Sequence, residues 1–205
     1  MNQLLTDDEI LAAAAAAGRN WPLPLLTVRN EPAALRAAAF RGLRSLIVRG
    51  LATPLEQETT TIEPRLRALI ERIADARRAT IAHVSLSERP VLAGSSYAVF
   101  ADDAGLVVDV GNAMGVHAIS TSDVRGGMNG LVEFVRTRFA PRPDVRLPES
   151  GCVLVADSPG ERSLRVRPGL IEIGSMRRGA DGMRFDTDES TADFGFVERL
   201  FANAA

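Results

Sequence analysis

The hydrophobic pattern changes period along the chain, from three-to-four residues in the first third to two further on. Thr6, followed by Asp7, Asp8 and Glu9, reads as a helix start. Thr6 caps, Glu9 completes a capping box three residues on, and the acids suit the positive end of the helix dipole. That helix runs through the alanines to Gly18, and the residues ahead of it give no obvious strand signal. Pro22 and Pro24 forbid its continuation, and residues 25–28, short, apolar and partly β-branched, predict a strand. Asn30 and Pro32 open a second helix. Its stripe is Leu35, Ala39, Leu43, Leu46 and Ile47, and Gly50 and Pro54 end it. A polar link over 56–61 leads to a third helix over 63–78, with Leu66, Leu69, Ile70 and Ile73 on its apolar face.

Residues 80–86 then alternate around Ile81, His83 and Val84. Strands over 95–101 and 106–110 flank Asp102-Asp103-Ala104-Gly105, a hairpin turn, and 116–119 add a further short strand. Ser122 and Asp123 cap a helix that ends near Phe139, with Leu131, Phe134 and Val135 inward. Gly126, Gly127 and Gly130 weaken that helix by roughly 1 kcal/mol each against alanine, which close packing on a neighbour would offset. Residues 140–148 hold three prolines and mark a boundary between lobes 1–139 and 149–205 of a single domain. Short strands over 153–156, 163–166, 170–173 and 183–185 follow, separated by turn residues. Ser190 is expected to cap a last helix carrying Phe194, Val197, Leu200 and Phe201 on one face. Hairpin connections predict an α+β fold, a mainly antiparallel sheet with helices packed on it. Residues 80–139 and 152–203 each read as strands then one helix, a pseudo-twofold pattern.

Composition narrows the function. With 205 residues and a hydrophobic fraction of 46% the chain can build one core. A net charge of -2 argues against broad nucleic-acid or anionic-membrane binding. Every basic residue is arginine, which with the alanine runs suggests a GC-rich, bacterial genome. A single cysteine, Cys152, excludes an intramolecular disulfide and a cysteine-based zinc site. Acids stand at the N-terminus where a signal peptide carries positive charge, and no run of about 20 apolar residues exists. The expected compartment is the cytoplasm, without membrane insertion.

No catalytic constellation assembles. His83 and His117 are the two histidines; no acid stands at ligand spacing to either, so both read as structural. Cys152 opens a buried-looking strand, as a small core residue would. Asp102-Asp103 matches hairpin chemistry, and the acids over 186–189 match a helix start rather than a calcium loop. Neither GxGxxG, a P-loop lysine nor a G-x-S-x-G elbow is present. We therefore expect no cofactor, no metal and no enzyme.

The stretch RGLRSLIVRGL, residues 41–51, raises a sharper question. Arg36, Arg41, Arg44 and Arg49 spread over more than half the circumference of the second helix at 100° per residue. A DNA-reading helix needs several on one edge; a packed helix leaves them solvated or paired with Glu58, Glu63 or Glu71.

The phrases LTDDEILAAAAAAGRNWPLPLLTVRN and AALRAAAFRGLRSLIVRGLATP, the hairpin YAVFADDAGLVVDV and the helix NGLVEFVRTRF resemble the EspG-like type VII secretion chaperones of actinobacteria over roughly residues 4–139. The resemblance implies a central antiparallel sheet flanked by helical bundles, pseudo-twofold halves, and binding of paired helical secretion substrates in the cytoplasm. Two functions follow as expectations. One is a non-enzymatic chaperone or adaptor with a protein partner, docked near Trp21, Leu23 and Leu25. The alternative is a transcription regulator whose residues 1–78 form a winged helix with Arg36, Arg41 and Arg44 on one exposed edge, followed by a sensing or dimerisation lobe.

Overall fold

A computed structural model describes residues 2–22, 27–54, 60–85, 95–139, 152–157, 163–179 and 182–202. The fold is α+β. Strand β1 (Asn2–Thr6) leads directly into helix α1 (Asp7–Ala16), and α2 (Pro32–Val48) follows. A small antiparallel pair, β2 (Ala52–Pro54) and β3 (Thr60–Ile62), precedes α3 (Pro64–Ala74). Then come β4 (Arg78–Ser85), β5 (Ser96–Asp102), β6 (Gly105–Gly111), β7 (Val116–Ser122) and α4 (Val124–Phe139). The chain continues through β8 (Cys152–Asp157), β9 (Ser163–Arg167), β10 (Leu170–Gly179), β11 (Gly182–Thr191) and α5 (Gly195–Ala202).

Nine strands form one sheet in the order β1-β7-β6-β5-β4-β8-β9-β10-β11, and every neighbouring pair is antiparallel. Strands β4–β7 with α4, and β8–β11 with α5, are two four-strand meanders each closed by a helix. They meet where β4 pairs with β8, Ile81 opposite Ala156. The pseudo-twofold pattern of the sequence is thus a topological one. The proline-rich residues 140–148 lie outside the described residues.

Two cores lie on the two faces of this sheet. Alternation sends Ala98, Phe100, Val107 and Ile119 to one face, where Ile10 of α1, Leu46 of α2 and Leu66, Leu69, Ile70 and Ile73 of α3 cover them. It sends Ala82, Val84, Val99 and Leu106 to the other, continued by Leu164, Val166, Ile171 and Ile173 under Leu131, Val135, Val197 and Phe201. On the first face the β9–β11 end is polar. Arg165 and Glu172 pair there, and Arg165 stacks on Phe185 at 4.8 Å.

Several expectations are corrected. A strand precedes the first helix: β1 pairs with β7, Leu5 opposite His117. Of residues 25–28, Thr27 and Val28 form a bend and the others lie outside the described residues. Glu31, without a side-chain bond, occupies the position expected of Asn30 ahead of α2. Part of the polar link is strand β3. α3 ends at Ala74, because residues from Arg78 onward are drawn into the sheet. The acids over 186–189 lie within β11, as does Ser190. Asp193 opens α5 instead, its carboxylate accepting from the Gly195 amide at 2.9 Å.

The described residues of 1–78 do not form a helix-turn-helix; they supply an edge strand, a small hairpin and a helical layer to the large sheet. The α2 arginines do not pair with Glu63 or Glu71, and Glu58 lies outside the described residues. Arg41 grips Asp8 of α1 at 2.7 Å and Arg49 grips Glu9 at 2.7 Å. Gly42 allows this crossing: a Cβ there would stand 1.8 Å from the Asp8 carbonyl oxygen.

Candidate protein-docking groove

Helix α4 carries two adjoining apolar stripes, their centres about 60° apart at 100° per residue. Gly127, Leu131 and Val135, four residues apart, face the sheet and are buried. The glycines let the helix sit close, as their cost in propensity suggested. A Cβ on Gly127 would stand 2.8 Å from Leu106 Cδ1, and one on Gly130 would stand 2.0 Å from the Tyr97 hydroxyl. The second stripe, Val124, Met128 and Val132, also four apart, runs along the edge of that core: Met128 and Val132 are half-buried against it and Val124 is exposed. With Phe201 of α5 it lines an open groove of about 700 Å³. A recess of about 190 Å³, lined by Arg78, Asp102 and Leu106 among others, adjoins it and shares Val124 and Met128.

The rim is charged. Arg136 bonds Glu198 across the two helices, bridges Glu133 at 3.5 Å, and lies 5.4 Å over the Phe194 ring. Arg125 makes no ion pair among the described residues and stands free at the other end. Apolar walls with a charged rim suit an amphipathic helix.

Among the described residues, buried titratable groups gather elsewhere. His117 lies buried between two carboxylates. Its Nδ1 donates to Asp109 at 2.9 Å and its Nε2 donates to Asp7 at 2.8 Å. Asp7 Oδ2 further accepts from the Thr27 amide at 2.7 Å and the Thr27 hydroxyl at 2.6 Å. Burial pushes the His117 pKa down, but the bonds and charges of Asp109 and Asp7 outweigh it and hold the pKa at about 9. Burial likewise pushes the Asp7 carboxyl up, and the bonds from His117 and Thr27 bring it below its ordinary value. A ring with both nitrogens donating cannot act as a base, and each of the three side chains is at most 1% exposed. The cluster ties β1–α1, β6, β7 and the Thr27 bend together.

The sequence expectation that His117 is structural agrees with this geometry, although its two acids come from eight and 110 positions away. His83 is half-buried on β4. Cys152 opens β8. Asp102 serves its hairpin by accepting from the Ala104 amide and is held by Arg72 at 2.6 Å. Trp21 is half-buried against the α1–α3 core, while Leu23 and Leu25 lie outside the described residues. The groove residues were passed over in the sequence, where their signal was the repeat Val124, Met128, Val132 beside the inward Leu131 and Val135. No described helix is long and apolar enough to cross a membrane.

No protein-family model and no curated protein matches the chain. Among solved structures it is similar to the Mycobacterium tuberculosis type VII secretion system chaperone EspG5, in complex with a PE25–PPE41 dimer. The TM-score is 0.57 at 9% identity, covering 98% of this chain and 95% of that one. At that identity the likeness establishes the fold alone.

Proposed function

We propose that this protein is a non-enzymatic, cytoplasmic protein-binding protein, a chaperone or adaptor of the type VII secretion kind. Its α4–α5 groove takes the apolar edge of a helical partner. The observation that carries the reading is the open groove that Val124, Met128 and Val132 line with Phe201 along the edge of the second core. The fold shared with a chaperone held in complex with a protein dimer supports the same class. So does the character of the buried His117 cluster, in which every polar atom is engaged and no substrate can reach.

The test compares the wild type with a Met128→Glu, Val132→Glu variant. Tagged full-length protein is recovered from native lysate with nuclease treatment. The protein that co-elutes stoichiometrically is identified, purified and titrated against both forms by calorimetry. Binding to the wild type, weakened at least about a hundredfold in the variant, supports the groove. A partner that binds both forms equally, or recovery of DNA alone, overturns the reading.

A further inference from the structure

Helix α2 answers the question raised by its arginines with two ridges on opposite sides. Ala38, Gly42 and Leu46, each four residues from the next, are buried and pack the helix onto α1 and the first core. Arg36, Phe40, Arg44 and Val48, also four apart, are all exposed. At 100° per residue the centres of the two ridges lie about 180° apart, so the second points away from the protein. Phe40 is 70% exposed and Val48 87%, an unusual position for a large aromatic side chain. Arg41 and Arg49, on the flanks, are spent on Asp8 and Glu9. Arg36 and Arg44 make no ion pair among the described residues.

A ridge at four-residue spacing is what one helix inserts into the groove of another. We infer that the Arg36–Phe40–Arg44–Val48 ridge is a second docking surface, and that its occupant is an acidic amphipathic helix of a partner protein. The charge pattern chooses the occupant. Two free guanidiniums, one turn either side of a bare phenyl ring, match carboxylates eight residues apart flanking an apolar stripe. A second copy of the same ridge would bring two more arginines and no carboxylate to pair with them. Two bulky apolar residues and two free arginines give little hold on a bilayer. DNA would meet only two free arginines on a chain of net charge -2. The inference is independent of the α4–α5 groove, which lies on the other face of the sheet.

The probe is a fluorescein-labelled amphipathic peptide of about 20 residues, with a leucine stripe flanked by glutamates eight positions apart. A second peptide carries glutamine in their place. Anisotropy titrations use the full chain as wild type, Phe40→Ala, Arg36→Gln with Arg44→Gln, and Arg36→Lys with Arg44→Lys. We expect the acidic peptide to bind at least about tenfold tighter than the glutamine peptide, with the preference shrinking in salt. The glutamine variant should lose that preference, the lysine variant should keep most of it, and Phe40→Ala should weaken both peptides about tenfold. All four proteins should melt together, because the ridge touches no core. Equal affinity for the two peptides, absence of binding, or indifference to Phe40→Ala overturns the inference. So would two other results that depend on Phe40: co-sedimentation with phosphatidylserine–phosphatidylcholine vesicles in place of peptide binding, or dimerisation in sedimentation runs.

Discussion

His117 Nε2 stands 2.8 Å from Asp7 Oδ1, joining strand β7 to the first residue of α1 across 110 positions of chain. The imidazolium is shared with Asp109, so one buried cation holds two buried anions. Removing one member of such a cluster is costlier than never having built it, because the remaining charges stay buried without a partner.

This cluster makes stability fall on the alkaline side. The folded state holds the His117 proton more tightly than the unfolded chain, whose ordinary value is 6.5, against about 9 when folded. The contribution is complete below pH 6.5 and is lost as pH rises towards 9, up to about 3 kcal/mol. Asp7, held below its ordinary 3.8, acts in the opposite sense: its contribution is present above that value and is lost as pH falls through the folded pKa. Thermal melts at several pH values should show a decline between pH 7 and 9 in the wild type. His117→Gln should be less stable throughout and flat across that window. An equal slope in both proteins would assign the decline to other groups.

Arg49 and Arg41 make similar bonds to neighbouring acids of α1 and should differ sharply on removal. Glu9 is 1% exposed, and besides Arg49 it accepts from Ser45 and from the Thr6 amide. Arg49→Ala leaves that carboxylate short of its cation in the interior and should cost roughly 3 kcal/mol. Arg41 and Asp8 meet in solvent, where an ion pair contributes little. Arg41→Ala should leave the denaturant midpoint almost unchanged. Chemical denaturation of the two variants side by side checks the contrast.

Gly42 and Gly130 sit where helices come closest to their neighbours. The Gly42→Ala methyl would collide with α1 backbone at 1.8 Å, which cannot move without parting the helices. We expect a loss of about 3 kcal/mol, despite the gain of about 1 kcal/mol in helix propensity. Gly130→Ala meets the Tyr97 hydroxyl instead, the far end of a side chain, and should cost less. Tyr97→Val beside Gly130→Ala should restore part of the loss, read as a coupling in a double-mutant cycle.

Strand β1 ends the sheet, yet two of its outward groups are occupied. The Leu4 carbonyl accepts from Arg49 at 2.9 Å, and the Thr6 amide donates to Glu9 at 2.9 Å. Such coverage blunts an edge against pairing with another chain. Arg49→Ala should therefore also raise the tendency to aggregate at high concentration, measured by light scattering, while Arg41→Ala should not.

The features legible in the sequence are local. The Thr6–Glu9 capping box is present as read. So are the Asp103–Ala104 turn, the inward Leu131 and Val135, and the need of the α4 glycines for a close neighbour, because each depends on residues within a turn or two of one another. The features that depend on the fold are long-range. The segment Asn2–Thr6 has no strong period of its own and becomes a strand because the edge of β7 accepts it. Asp186, Asp188 and Glu189 suit a turn or a helix start, and their pairing with β10 overrides that preference. Asp7, Asp109 and His117 share no motif; they converge because α1 starts against the β6–β7 hairpin. The sidedness of α2 and α4 was legible as periodicity. Which side each helix would bury was a matter of packing, settled where Gly42 and Gly127 let one side approach its neighbour, and on α2 the opposite ridge was left bare.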